Sequence, residues 1–205
     1  MKRTIALSLL AAGLTLGGSA IADAVVGQAA PAFKGVDAAG KPVSLDQYKG
    51  KYVVLEWVNP ECPFVKKHYN SGNMPATQKD AMAKGVVWLS VSSTAKDAGD
   101  HLPPAELAKW LQSKSAAPSA TLIDEDGKLG RSYGARTTPH MYLIDPQGKL
   151  VYAGAIDSKP SANPADIKTA TNYVRQAVGE AVAGKPVSQA QTQAYGCSIK
   201  YASGA

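Results

Sequence analysis

Residues 51 to 58, Lys-Tyr-Val-Val-Leu-Glu-Trp-Val, form a nearly unbroken apolar and β-branched run that stops at Asn59-Pro60. A strand with one wet face alternates apolar and polar side chains, so a run this continuous reads as a strand buried on both faces in the middle of a sheet. Such a strand requires a layer of structure above it and another below. Val86 to Val91 supplies a second buried strand, and Ala120 to Ile123 a third, short one before Asp124-Glu125-Asp126-Gly127. Helical patterns lie between them. Pro63 is pre-organised for a first helical position, and a helix starting there carries Phe64, Val65, His68 and Tyr69 on its apolar face. Ser71-Gly72-Asn73 interrupts it, and Pro75 to Lys84 resumes it; Pro104 to Ser113 aligns Leu107, Trp110 and Leu111.

Two hairpins bracket this alternation. Ala32 to Val36 and Pro42 to Leu45 flank Asp37-Ala38-Ala39-Gly40, and Met141 to Ile144 and Leu150 to Ala155 flank Asp145-Pro146-Gln147-Gly148. Asp166 to Ala183 reads as one helix ended by Gly184 and Pro186, and the tail from Val187 to Ala205 has no clear period. Alternating strands and helices, then a late hairpin and a terminal helix, predict a three-layer α/β domain with a mixed sheet.

The first residues carry a different signal. Met1-Lys2-Arg3, an apolar run from Ile5 to Leu16 and small residues ending Ala20-Ile21-Ala22 have the layout of a secretory leader over residues 1–22. The run of 12 residues is short against the roughly 20 of a membrane span. The expectation is cleavage before Asp23, no membrane insertion afterwards, and an oxidising compartment, periplasmic or extracellular according to the cell. The remaining 183 of 205 residues suit one domain with a full core: a body over 23–190 and a tail over 191–205 that carries Cys197. Without Lys2 and Arg3, 20 basic residues stand against 16 acidic ones, a net of +4 with no basic run and no interleaved aromatics. That balance argues against a nucleic-acid partner.

Cys62 falls just after the buried strand and just before a helix. Free N–H groups and the helix dipole at that position favour a thiolate, typically by ~0.3 to 1 kcal/mol, and a thiolate is the reactive form. Lys66, one turn on, can add to the effect. His68, six residues on, points to another side of the helix and reads as a packing residue. The alternative for Cys62 is an inert buried thiol or one half of a structural bridge. Glu56 sits in the apolar strand, where a carboxylate either turns outward or is buried and serves as a proton relay to a nearby sulfur.

The string Glu56-Trp57-Val58-Asn59-Pro60-Glu61-Cys62-Pro63-Phe64 resembles the active-site strand and turn of thioredoxins and peroxiredoxins. Val26-Gly27-Gln28-Ala29-Ala30-Pro31-Ala32-Phe33 is similar to the opening of redoxin domains, and Thr138-Pro139 to the cis-proline loop of the thioredoxin fold. Asn59 to Phe64 together with Tyr195-Gly196-Cys197 resembles the peroxiredoxin-like, AhpC/TSA-related branch of exported thioredoxin-family proteins. The resemblance implies a thioredoxin-like three-layer sandwich with an N-terminal β-hairpin extension. It also implies a cis Pro139 beside the Cys62 sulfur, and partners that are protein or small-molecule thiols and disulfides. No cofactor is implied.

Departures from these families shape the functional expectation. Val65 occupies the place of the second cysteine in a C-x-x-C pair, so a resolving thiol has to be Cys197, 135 positions on. In an oxidising compartment the two cysteines of one chain are expected to pair, redox-active or purely structural. A peroxiredoxin places proline seven and threonine or serine three residues before its cysteine, where Leu55 and Asn59 stand here. Its arginine is missing too, with Arg136 an approximate substitute. Those groups position peroxide, so a thiol-disulfide oxidoreductase using Cys62, Cys197, Glu56 and Pro139 ranks above a thiol peroxidase. Copper handling is a third reading, from Cys62, His68, Met74, His101, His140 and Met141, whose spacing matches no compact ligand motif.

Overall fold

The computed structural model describes residues 24–203, and the leader expected over 1–22 lies outside them. The chain runs β1 (Lys34–Asp37), β2 (Pro42–Ser44), β3 (Val53–Trp57), α1 (Pro63–Asn70), α2 (Asn73–Ala83), β4 (Val87–Ser92), α3 (Pro104–Ser113) and β5 (Ala120–Ile123). It continues with α4 (Lys128–Ser132), β6 (Thr137–Thr138), β7 (His140–Ile144), β8 (Leu150–Gly154), α5 (Tyr173–Val182) and β9 (Cys197–Ser198). Seven strands make one sheet in the order β2-β1-β5-β4-β3-β7-β8. The inner strands β3, β4 and β5 are parallel, whereas β7 joins β3, and β1 joins β5, antiparallel. The sheet is mixed, and the N-terminal hairpin extends its β5 edge.

Every residue of β3 is buried, as a central strand requires. Its period of two divides the core. Val54 faces the side on which Trp88, Met141, Leu143 and Tyr152 meet Val65 and Tyr69 of α1, Met74 of α2, Leu107 of α3 and Val178 of α5. Leu55 and Trp57 face the other side, where Leu89, Val91, Leu122 and Tyr142 meet Phe33 and Tyr133. On that second side Trp57 and Tyr142 pack edge to face, ring centres 5.1 Å apart.

One expectation is corrected, and two segments without a sequence assignment take defined places. The helix expected over Asp166 to Ala183 is two elements, a 3₁₀ segment Pro164–Thr169 and then α5. Two asparagine caps explain the break: Asn163 accepts from the Ala165 amide at 3.0 Å and Asn172 from the Arg175 amide at 2.9 Å, each starting its own helical turn. The turn after β5 opens a short helix, α4, because both Asp124 oxygens accept backbone N–H groups, from Leu129 at 2.9 Å and Gly130 at 2.8 Å. The described part of the tail, up to residue 203, has defined partners as well. It follows the β8 edge, with the Thr192 amide donating to Ala153 at 3.1 Å, and then pairs through β9 with β6.

Candidate functional site

The turn between β3 and α1 is shaped by Asn59. Its side-chain oxygen accepts from the Glu61 amide at 2.8 Å, and its amide nitrogen donates to Thr94 and Asp100 at 3.1 Å each. Cys62 is the N-cap residue of α1, its own amide bonded to Asn59 at 3.1 Å and its carbonyl receiving the Lys66 amide at 2.9 Å. The cysteine side chain therefore stands at the open first turn of α1, where N–H groups have no intrahelical partner. Only 3% of Cys62 is exposed.

Cys62 is joined to Cys197 in a disulfide, with Cα atoms 5.8 Å apart. The Thr138-Pro139 bond is cis, and the Thr138 carbonyl oxygen lies 3.0 Å from the Cys62 sulfur. Thr138 also pairs with Cys197 across β6 and β9. Gly196 makes that approach possible: its φ of +142° is open to glycine, and a Cβ there would run into the Thr138 carbonyl. Strand end, cis-proline loop and tail thus converge on one pair of sulfurs.

Glu56 points inward, not to solvent. It is fully buried on the same face of β3 as the cluster containing Cys62. One oxygen accepts from Tyr69 at 2.7 Å; the other accepts from Trp88 at 2.7 Å, Gln78 at 3.0 Å and Ser90 at 3.4 Å. Burial raises its pKa above the ordinary 4.5, against four hydrogen bonds that pull it down. An acid whose folded pKa is raised contributes stability that is complete below its unfolded value and lost as pH rises through the folded one. Glu56→Gln removes that titration. Urea midpoints followed from pH 4.5 to about 8 should move progressively in favour of the variant. A constant difference between the two proteins over that range would show that Glu56 does not change charge there.

The expected aid from Lys66 is blunted by Glu61, which pairs with its ammonium at 2.8 Å at the surface. Arg136 is exposed and approaches His140, whose pKa burial and that charge push down to about 4. His68 is buried, its Nδ1 2.8 Å from Asn73 Nδ2 and its Nε2 3.3 Å from the Tyr195 hydroxyl. Of the residues considered for copper, His101 pairs with Glu125 at 2.8 Å, while Met74 and Met141 lie in the core. Among the described residues no group of three or more His, Cys, Asp or Glu is arranged to hold a metal ion.

A polar unit beside the sulfurs escaped the sequence reading. Asp157, 2% exposed, takes the Lys67 ammonium at 3.4 Å, the Lys159 amide at 2.9 Å and the Tyr195 hydroxyl. The Tyr195 ring packs edge to face on Phe64, centres 5.7 Å apart, and the Lys67 ammonium stands over it at 5.7 Å. Burial and the Asp157 contact raise the Tyr195 pKa, so the phenol stays a donor. Phe64, expected on the buried face of α1, is half-buried, and Lys67 goes inside in its place. The Tyr-Gly-Cys string was the one available signal; nothing near Asp157 in the chain marks it as Tyr195's acceptor.

A mixed sheet with a cysteine at the strand-to-helix junction, facing a cis-proline loop, defines a protein of the thioredoxin-like class. Within that class the chain belongs to the AhpC/TSA family, whose sequence profile matches residues 26–153. The thiol-disulfide oxidoreductase ResA of Bacillus thuringiensis subsp. konkukian is 26% identical over 133 residues, 62% of this chain and 67% of the relative. An uncharacterized conserved protein from Geobacillus kaustophilus superposes with a TM-score of 0.73 at 28% identity, over 88% of this chain and 94% of its own. A hypothetical protein from Sinorhizobium meliloti 1021 superposes at 0.74 and 23% identity, over 89% and 98%, a likeness of fold.

Proposed function

We propose that this protein is an exported thiol-disulfide oxidoreductase in which Cys62 attacks a partner disulfide and Cys197 resolves the mixed disulfide. The observation that carries the reading is the bridge itself: a sulfur at the first turn of α1, against Thr138, bonded to a cysteine on a separate tail. When reduced, Cys62 is favoured as a thiolate by the N–H groups and dipole of α1. Its attack forms a Cys62–partner bond and expels the partner's second sulfur as a thiolate. Cys197 then attacks Cys62, the partner's first sulfur leaves, and two electrons have passed from the protein to the partner. Pro139 shapes the wall beside the sulfur. Glu56 is the buried acid of the site; its oxygens are taken by four donors, so it acts by changing charge near the Cys62 cluster.

Export rests on the leader over residues 1–22, and the compartment reached is oxidising. Among the described residues no helix is long and apolar enough to cross a membrane. Membership of the AhpC/TSA family supports a second reading, thiol peroxidase, which Leu55 and Asn59 at the peroxide-positioning places disfavour.

Cys197→Ser is expected to accumulate covalent partner adducts on Cys62, and Cys62→Ser to carry none, as read by non-reducing electrophoresis and mass spectrometry. The native protein should reduce a model disulfide stoichiometrically and consume little peroxide. Fast peroxide turnover would move it to the peroxidase reading. A bridge that resists strong dithiol reductants in the folded state would leave only a structural role.

A further inference from the structure

We infer that the Cys62 site is built to receive an extended polypeptide with a tyrosine two residues, and a glycine one residue, before its reacting cysteine. The chain's own Tyr195-Gly196-Cys197 fills that place in the disulfide form. The inference rests on the oxidoreductase reading and names its substrate class. With the tail docked, Cys62 is 3% exposed and no partner sulfur reaches it, so the tail has to lift before exchange with a partner.

Lifting the tail leaves specific demands behind. The β6 segment loses the strand paired with it, leaving backbone groups of Thr137 and Thr138 free beside the sulfur. Asp157, almost without exposure, loses the phenol hydroxyl while Lys67 and the Lys159 amide remain. His68 Nε2 loses its 3.3 Å contact with that hydroxyl, and Phe64 loses the ring packed on it. A buried polar group left without its partner is costly, so the vacated place selects for an occupant that restores each bond.

The occupant's features follow one by one. An extended backbone restores the pairing with β6. A cysteine at the place of Cys197 meets Cys62. The residue before it has to be glycine, because a Cβ at Gly196 collides with the Thr138 carbonyl. Two residues before the cysteine, a ring fits against Phe64 and under the Lys67 ammonium, each 5.7 Å away. Its hydroxyl is needed as well, since phenylalanine would fill the space, exclude water and restore neither the bond to Asp157 nor the contact with His68. A small thiol supplies none of these groups. In the exchange, Cys62 thiolate bonds to the polypeptide's cysteine sulfur, the polypeptide's disulfide breaks, and its other sulfur leaves as a thiolate that takes a proton from water.

The test uses full-length protein carrying Cys197→Ser, with Tyr195→Ala added to loosen the tail. The probes are synthetic peptides whose single cysteine is capped with thionitrobenzoate, so attack by Cys62 releases a coloured leaving group. One peptide contains Tyr-Gly-Cys, a second Phe-Gly-Cys, a third Tyr-Ala-Cys, and the capped free amino acid cysteine serves as the reference. The first peptide is expected to react about tenfold faster than the second, and at least about tenfold faster than the third. The Cys197→Ser protein alone should give the same ranking at lower rates, which separates the effect from damage done by Tyr195→Ala. Release from all three peptides at rates within about twofold of one another would overturn the subsite and leave the oxidoreductase standing. No release from any peptide or from the reference would overturn both.

Discussion

Reduction of the Cys62–Cys197 bridge is expected to lower the stability of the fold by about 5 kcal/mol in the chain-entropy model. The bridge spans 135 positions, so opening it frees most of the chain in the unfolded state. The folded state changes much less, because the stretch beyond Cys197 stays anchored by other contacts even when the segment carrying Tyr195 to Cys197 lifts. The Tyr201 hydroxyl donates to the Ala135 carbonyl at 2.7 Å, Arg131 donates to the Ala202 carbonyl at 2.8 Å, and Lys200 pairs with Asp100 at 2.9 Å. The Ala95 amide also donates to the Lys200 carbonyl at 2.8 Å. Linkage gives the same quantity a second meaning: folding favours the closed bridge by roughly three to four powers of ten over the unfolded chain. Urea unfolding of oxidised protein, reduced protein and Cys197→Ser tests the argument, with the last two expected to coincide at lower midpoints. Equal midpoints for oxidised and reduced protein would mean that the unfolded chain gains no freedom when the bridge opens, and the argument would fail.

The fold was legible where local chemistry decides it. Pro104 at a first helical position and the Asp145-Pro146-Gln147-Gly148 turn set their elements within a residue or two, and the apolar run before Asn59-Pro60 placed β3 in the centre. Sequence reasoning ran short where a side chain answers a distant or unobvious backbone group. Asp124 starts α4 by accepting from Leu129 and Gly130, and Asn172 splits the last helical segment by capping Arg175. Each is a polar residue that composition treats as loop. Cys62 was legible because strand, prolines and cysteine adjoin in the chain. Lys67 and Asp157 were not, since a lysine among apolar helix positions reads as surface, and its partner lies 90 positions away. Glu56 was half-legible. The strand exposed the anomaly of a carboxylate among apolar residues, but the donors that make it tolerable come from α1, α2 and β4.

Acidification from pH 6.5 to about 4 is expected to remove about 3 kcal/mol of stability through His68 alone. Burial is the main reason that its pKa falls to about 4; Lys67 adds to the depression and Asp157 opposes it. A base with a depressed folded pKa contributes stability that is present above its unfolded value of 6.5 and lost as pH falls through the folded one. His140, lowered in the same direction by burial and by Arg136, steepens the loss. Glu56 works the other way in part of this window, because its raised pKa favours the fold as it takes up its proton. The His68 contribution is isolated by comparison with His68→Gln, which keeps polar atoms toward Asn73 and Tyr195 but does not titrate. Urea midpoints of the oxidised proteins should diverge from pH 6.5 downward, the wild type losing more, and run parallel again below about 4. The consequence reaches the sulfurs. A charged His68 beside Lys67 draws on Asp157, which also receives the Tyr195 hydroxyl two residues before Cys197. Parallel midpoints for the two proteins across the whole window would mean that His68 is not held neutral by the fold, and would separate the docking of the tail from its protonation.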